Sequence, residues 1–193
     1  MKIHVIAPPR CGATAYSKQV SIDNNLEFVN EPYQFDFINH PIMLDTSNVT
    51  LGGGNKIIDD YVIHSIGSQY FVNARNKKIT EELILIERQD KWEQLLSYVI
   101  MMSLAPSTRK IHNLIITEPR NITVDTKFLN YMLYEWSIFD LLKKTLSDYK
   151  HLYYEDIQYG DHIGFTKNRG YENISITNID VVKHYFTLYQ GSN

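Results

Sequence analysis

A strand pattern that turns through small residues into a helix pattern opens the chain and constrains its fold more than any other segment. Residues 2–6 have the pattern of a short buried strand, and a helix pattern begins near residue 13, after the turn Pro8-Pro9-Arg10-Cys11-Gly12. The first N–H groups of a helix lack partners inside it and, with the helix dipole, favour an anion. The segment predicts a phosphate- or sulfate-binding loop; an ordinary strand-to-helix turn is the alternative.

Three residues of this loop have the chemistry that anion binding requires. Gly12 lets the backbone approach an anion closely. Arg10 supplies positive charge, and Thr14 supplies a hydroxyl. All three are candidate binding residues.

The spacing of apolar runs along the chain is typical of an α/β protein. Short runs rich in β-branched and aromatic residues alternate with helix patterns, at residues 3–7, 26–29, 61–66, 83–87 and 151–154. Helices are predicted over residues 13–22, 91–103 and 125–146, with Asp90 and Asp125 as N-caps. Residues 36–55 are predicted to form a long loop or lid. We expect a three-layer α/β/α fold with a central parallel sheet and a P-loop-like anion loop, in one domain over residues 1–193.

Composition argues against several classes of protein. The net charge of −3, with scattered Lys and Arg, lacks the basic surface of a general nucleic-acid binder. Cys11 is the single cysteine and the histidines show no ligand spacing, so we expect no disulfide and no metal. No apolar run reaches the roughly 18 residues of a membrane span, and no secretory pattern opens the chain. We expect a soluble cytoplasmic protein with neither nucleic-acid nor membrane partners.

A second strand-turn-helix segment, residues 85–98, carries Arg88 at its strand end and Ser97 on the following helix. With the first loop, it resembles the sulfotransferases that use 3′-phosphoadenosine 5′-phosphosulfate (PAPS). The small bacterial and phage-type branch is the most similar, through Arg88-Gln89-Asp90-Lys91. The resemblance implies that Arg88 and Ser97 bind the 3′-phosphate and that the 5′-phosphosulfate lies against Pro9, Arg10, Cys11, Gly12, Ala13, Thr14 and Ala15.

Two side chains compete for the role of general base that this resemblance implies. Glu31 follows the second strand, where the bacterial branch has a glutamate, and a partly buried carboxylate suits the task. His64 ends the third strand, where the cytosolic branch has its Lys-Thr-His motif, and imidazole titrates near neutral pH. Glu31 is the preferred base and His64 the alternative.

Two later segments extend the resemblance to about residue 170. Tyr153-Tyr154-Glu155-Asp156 is similar to a segment that follows a late core strand in the family. We expect its hydroxyls and carboxylates to satisfy nearby backbone or arginine groups. Arg169 and Gly170 stand where the family has a terminal basic element that closes over the nucleotide.

The resemblance implies an enzyme that moves a sulfuryl group from PAPS to the hydroxyl of a small molecule or saccharide, without a metal. Arg10 and the loop N–H groups would stabilise the charge that develops during transfer. Cys11 and Ala13 replace hydroxyl residues of the family motif, so a non-catalytic protein that binds a nucleotide or a partner is the alternative. A nucleoside-triphosphate-dependent kinase or ATPase is disfavoured, because the loop lacks the Gly-x-x-x-x-Gly-Lys pattern.

Overall fold

The structure is a computed structural model, and it describes residues 1–30, 60–74, 82–104, 116–163 and 171–191. The chain forms two compact units. The first comprises Met1–Gln89 and Glu135–Gly164, and the second comprises Asp90–Tyr134 and Phe165–Asn193. The expectation of one domain stays a prediction. None of the helices in the described ranges has the length and apolar composition needed to cross a membrane.

The strands of the described residues follow the predicted pattern closely. In chain order they are β1 (Lys2–Ala7), β2 (Glu27–Asn30), β3 (Tyr61–Ile66), β4 (Glu82–Glu87), β5 (Arg120–Ile122), β6 (Lys150–Tyr153) and β7 (Ile174–Ile176). All five predicted strands are confirmed to within one residue at each end. They form a five-stranded sheet of the first unit in the order β2-β3-β1-β4-β6, and every pair in it is parallel. The α/β class with a central parallel sheet is therefore confirmed.

The helices include the three predicted ones and two that were not predicted. They are α1 (Ala13–Asp23), α2 (Gly67–Ala74), α3 (Lys91–Leu104), α4 (Thr126–Thr145) and α5 (Ile179–Gly191). Sequence patterns missed α2 because it continues directly from β3 without an intervening turn. The predicted long loop at residues 36–55 lies outside the described residues.

Two apolar clusters lie on opposite faces of the first unit's sheet. Alternate residues of β1 separate them, because successive side chains of a strand point to opposite faces. One cluster packs against α1 and includes Ile3, Val5, Ala7, Cys11, Ala13, Val62, Ile84, Ile86 and Ile157. The other packs against α2 and α4 and includes Ile6, Tyr70, Leu83, Leu85, Phe139 and Leu142. Helices therefore cover both faces of this sheet.

A buried carboxylate occupies the beginning of α2. The backbone N–H of Ser68 donates to Glu135 Oε2 at 3.1 Å, and the Ser68 hydroxyl donates to Glu135 Oε1. Both side chains are fully buried. The Glu135 carboxyl, which belongs to α4, thus accepts hydrogen bonds at the beginning of α2. This helix end already has an acceptor within the protein.

The second unit contains the parallel pair of β5 and β7, with Arg120 opposite Ile174 and Ile122 opposite Ile176. Asn178, which precedes α5, extends the pairing through its side chain. It accepts from Val124 N through Oδ1 and donates to Val124 O through Nδ2, both at 2.9 Å. One side chain thus reproduces both hydrogen bonds of a strand partner.

The two predicted N-caps of the second unit are confirmed. Asp90 Oδ1 accepts from Glu93 N at 2.8 Å before α3, and Asp125 Oδ1 accepts from Lys127 N at 2.9 Å before α4. The hydrogen bonds from the Lys127 backbone and side chain lower the pKa of Asp125. These caps satisfy N–H groups that a helix cannot satisfy itself.

Candidate functional site

The strand order places a topological switch point between β1 and β4. From β1 the chain continues through α1 to β2, on one side of the sheet, whereas the next strand of this sheet after β4 is β6, on the other side. Parallel strands end at one edge, and ligands of open α/β sheets bind in the crevice where successive connections diverge. The segments that follow β1 and β4 are the two that the sequence singles out, those of Gly12 and Arg88.

The loop after β1 contains two residues in the left-handed backbone region. Arg10 has φ 68°, and Gly12, the N-cap of α1, has φ 65° and ψ 9°. The Gly12 carbonyl accepts from Tyr16 N at 3.1 Å and so begins the helical hydrogen-bond pattern. A left-handed arginine is uncommon and is a feature of tight turns and functional loops.

Several side chains of this loop lie in the core and cannot line a ligand site. Cys11 is 1% exposed and Ala13 is 4% exposed, and both belong to the apolar cluster under α1. Ala15 is also buried. What these three positions can offer an anion is the backbone N–H. The small side chains at 11 and 13 therefore fit the core that surrounds them.

Two tyrosines of the first unit cover Gly12. The Tyr159 hydroxyl donates to the Gly12 carbonyl at 3.3 Å, and a Cβ on Gly12 would collide with that hydroxyl and lie 2.9 Å from the Tyr154 ring. Burial, with Tyr154, Cys11 and Tyr16 nearby, raises the pKa of Tyr159 well above its usual range, so it stays a donor. Glycine is required here both by its backbone conformation and by these rings.

Arg88 is held by the residues that follow β6. Its guanidinium carbon lies 5.1 Å from the centroid of the Tyr154 ring, and its Nε lies 3.7 Å from Glu155 Oε1. Glu155 Oε2 also accepts from Gln89 N at 3.1 Å. The expectation that this segment satisfies backbone and arginine groups is confirmed for Glu155. Within the described residues, Arg88 Nε is buried without a hydrogen bond.

The His64 side chain contacts one residue at the end of β2 and one in the first turn of α1. Its Nδ1 lies 2.9 Å from Asn30 Oδ1 and 3.4 Å from Thr14 Oγ1. Asn30 is the register partner of His64 in the parallel pair of β2 and β3. The structure thus brings two predicted site residues, Thr14 and His64, next to each other. Asn30 was not predicted, because its position opposite His64 depends on strand pairing.

Of the remaining predicted site residues, the structure describes Ser97 in the second unit. Ser97 lies on α3 in the second unit and is 5% exposed, so it is buried and not on a solvent-facing side of the helix. Its role in phosphate binding stays a prediction. Glu31, Arg169 and Gly170 lie outside the described residues.

A charged cluster at the end of β4 was missed by sequence reasoning. Glu87, which is 7% exposed, accepts from Lys143 Nζ at 3.1 Å and lies 2.8 Å from His151 Nε2. Burial alone would lower the pKa of Lys143, but its hydrogen bonds to Glu87 and Asp140 outweigh burial and raise it. No local pattern joins these residues, which are 56 and 64 positions from Glu87.

Within the described ranges, no group of three or more His, Cys, Asp and Glu side chains could hold a metal ion. Comparison of the chain with protein-family models and with curated proteins finds no match to either. The similarity to sulfotransferases therefore rests on the motif residues themselves.

Proposed function

We propose that the protein is a sulfotransferase that moves a sulfuryl group from PAPS to a hydroxyl acceptor. The observation that carries the proposal is the position of two basic strand-end segments beside one switch point. Arg10 and the beginning of α1 follow β1, and Arg88 follows β4. A nucleotide with phosphate groups at both ends needs two anion sites at one edge of a sheet.

The first anion site in this proposal is the beginning of α1. At the N-terminus of α2, the Ser68 N–H already donates to Glu135 of α4, whereas α1 has no acidic residue in its first turn. Because the side chains of Cys11 and Ala13 are buried, binding there would rely on backbone N–H groups and Arg10. Binding of this kind does not need the hydroxyl side chains that the sulfotransferase motif has at positions 11 and 13.

The second anion site is the guanidinium of Arg88. The guanidinium packs over the Tyr154 ring, and this contact orients its plane. Among the described residues, the buried Nε has no hydrogen-bond acceptor. A phosphate would supply the acceptor that this donor lacks, and arginine matches phosphate through paired N–H groups. Glu155, at 3.7 Å, is too distant from Nε for a hydrogen bond of normal length.

The reaction in this proposal is an in-line displacement at sulfur. The acceptor oxygen forms a bond to sulfur, the bond from sulfur to the bridging phosphate oxygen breaks, and 3′-phosphoadenosine 5′-phosphate leaves. A base, His64 or Glu31, takes the proton of the acceptor hydroxyl. Arg10 and the loop N–H groups stabilise charge on the bridging oxygen and the transferring group.

The test is isothermal titration calorimetry with 3′-phosphoadenosine 5′-phosphate, beside ATP. We expect binding of the first nucleotide in preference to ATP, and its loss in Arg88→Ala. Arg120→Ala, which removes an exposed arginine of β5, is the charge-matched control and should bind like the wild type. Failure of the wild-type protein to bind the nucleotide would overturn the proposal.

A second candidate is a protein that binds a nucleotide or a partner without catalysing transfer. The contacts that favour it are those of Tyr159 and Tyr154 on Gly12, which cover one side of the loop with the protein's own side chains. Release of sulfate from PAPS distinguishes the two candidates. Nucleotide binding without any sulfate release, in the presence or absence of added alcohols and phenols, would favour the non-catalytic protein.

A further inference from the structure

The environment of His64 determines which of its ring nitrogens carries the proton. Nδ1 lies 2.9 Å from the Asn30 side-chain oxygen, which can only accept a hydrogen bond. Nδ1 must therefore carry the hydrogen. A neutral imidazole has one N–H, so its basic lone pair is then on Nε2.

The second contact of the ring is compatible with this assignment, because a hydroxyl can accept a hydrogen bond as well as donate one. Thr14 Oγ1 lies 3.4 Å from the same Nδ1, on the first turn of α1 and two residues after Gly12. Asn30 and Thr14 are both neutral side chains, and His64 is 7% exposed, so the ring is held between β2 and α1. Rotation of the ring about its bond to Cβ would break the hydrogen bond to Asn30.

The position of Asn30 is set by the sheet. It is the last residue of β2 and is the register partner of His64 in β3. Asn30 ends β2, whereas His64 does not end its strand as the sequence predicted but lies two residues before the end of β3, near the edge where β1 leads into the candidate anion loop. A general base needs a group that fixes its tautomer and orientation, and an amide oxygen serves this purpose without adding charge.

We propose that Asn30 is a positioning residue that holds His64 in the Nδ1–H tautomer and so makes Nε2 the basic nitrogen. The catalytic part of this inference, in which Nε2 takes the proton of the acceptor hydroxyl, rests on the proposed function. As the bond from the acceptor oxygen to sulfur forms and the bond from sulfur to the phosphate oxygen breaks, that proton moves to Nε2. His64 becomes an imidazolium that still donates from Nδ1 to Asn30.

The tautomer can be measured without any ligand. Two-bond ¹⁵N–¹H correlation spectra of the protein with ¹⁵N-labelled histidine distinguish a protonated from an unprotonated ring nitrogen, and a His64→Gln sample assigns the signals. We expect protonated Nδ1 and unprotonated Nε2 in the wild type. Asn30→Leu should lose this preference, and Asn30→Asp, which keeps an acceptor oxygen, should restore it.

Two outcomes of these spectra would overturn the positioning role. One is an Nε2–H tautomer in the wild type, and the other is an unchanged tautomer in a folded Asn30→Leu protein. Amide spectra of both variants report whether the fold is retained. If Asn30→Leu does not fold, Asn30→Ser, which offers a shorter acceptor, takes its place with the same expectation of a weakened preference.

The catalytic consequence is tested by hydrolysis of PAPS, in which water replaces the unidentified acceptor. We expect Asn30→Leu to lower kcat at least tenfold with little change in KM, and Asn30→Asp to recover most of the rate. Calorimetry with 3′-phosphoadenosine 5′-phosphate separates the two proposals. Absence of nucleotide binding overturns the proposed function and leaves the tautomer result standing, whereas binding with unaltered kcat in Asn30→Leu overturns only the role of Asn30.

Discussion

The hydroxyl of Tyr159 donates a hydrogen bond to the carbonyl of Gly12, a residue 147 positions earlier in the chain. This contact connects the segment after β6 to the loop after β1. The same segment supplies Tyr154 and Glu155 to Arg88. The segment after β6 thus contacts both strand-end segments that the proposed function uses.

Gly12→Ala should destabilise the first unit strongly. The substitution places a side chain in the left-handed region and against Tyr159 and Tyr154. We expect a loss of about 2–4 kcal/mol in the free energy of unfolding, measured by urea denaturation. Gly191→Ala is the control, because a Cβ there meets nothing within 4 Å, and it should change stability by less than about 1 kcal/mol.

The double variant Gly12→Ala with Tyr159→Phe separates the two causes of that loss. Removal of the hydroxyl relieves the collision but not the backbone strain. The double variant should therefore be more stable than the sum of the two single variants predicts. Strict additivity would show that Tyr159 does not crowd this position.

Tyr154→Leu should weaken binding of 3′-phosphoadenosine 5′-phosphate if Arg88 holds a phosphate. The aromatic face that orients the guanidinium is lost, and a cation–π contact contributes about 0.5–2 kcal/mol, equivalent to about 2- to 30-fold in affinity. Tyr154→Phe keeps the ring and should bind like the wild type. Equal weakening in both variants, measured by calorimetry, would show that the ring face does not orient Arg88.

Lys143→Met should destabilise the protein by about 1–3 kcal/mol, because it removes an ion-pair partner from the buried Glu87. The matched control is Lys144→Met, which changes an exposed lysine next to it on α4 and should have little effect. Thermal unfolding at neutral pH compares the two variants. A similar loss in both would show that the pair with Glu87 contributes nothing specific.

The same lysine should make stability depend on alkaline pH. The folded-state pKa of Lys143 lies above its ordinary value of 10.5. Its contribution is therefore complete below that value and is lost as the pH rises through the higher folded-state pKa. The difference in unfolding free energy between wild type and Lys143→Met should shrink in that range. A constant difference across it would contradict the shift.

Asn178→Ala should destabilise the second unit by about 1–3 kcal/mol, because it leaves both backbone groups of Val124 without their partner. Asn178→Asp keeps the acceptor for Val124 N but not the donor to Val124 O. Amide hydrogen exchange should therefore show loss of protection at Val124 in the alanine variant and retention in the aspartate variant. Gln190→Ala, on the exposed face of α5, is the control.

Secondary structure followed from local sequence for most of the longer elements, although helix α5, with 13 residues, was not predicted. The five sheet strands were predicted because each is a compact apolar run, and α1, α3 and α4 because their apolar residues recur at helical spacing. Strands β5 and β7 have three residues each, too few for a periodic pattern. Helix α2 has eight residues and no preceding turn.

The candidate site was only partly predictable. The sequence identified Arg10, Gly12 and Arg88 through their place after apolar runs. It did not identify the ion pairs around them: Arg88 pairs with Glu155, and Glu87 pairs with Lys143 and His151. The Arg88 partner lies beyond β6, and strand alternation directs Glu87 towards the face that α4 covers.

The sequence by itself determined the five sheet strands, the helices α1, α3 and α4, and the edge at which the strands end. These follow from local apolar periodicity and from the rule that parallel strands end at a common edge. Only the tertiary structure decided that Cys11 faces the core, that Tyr159 covers Gly12 and that Asn30 orients His64. These contacts join residues that are distant in the chain, and their geometry depends on strand order and register, which no local pattern encodes.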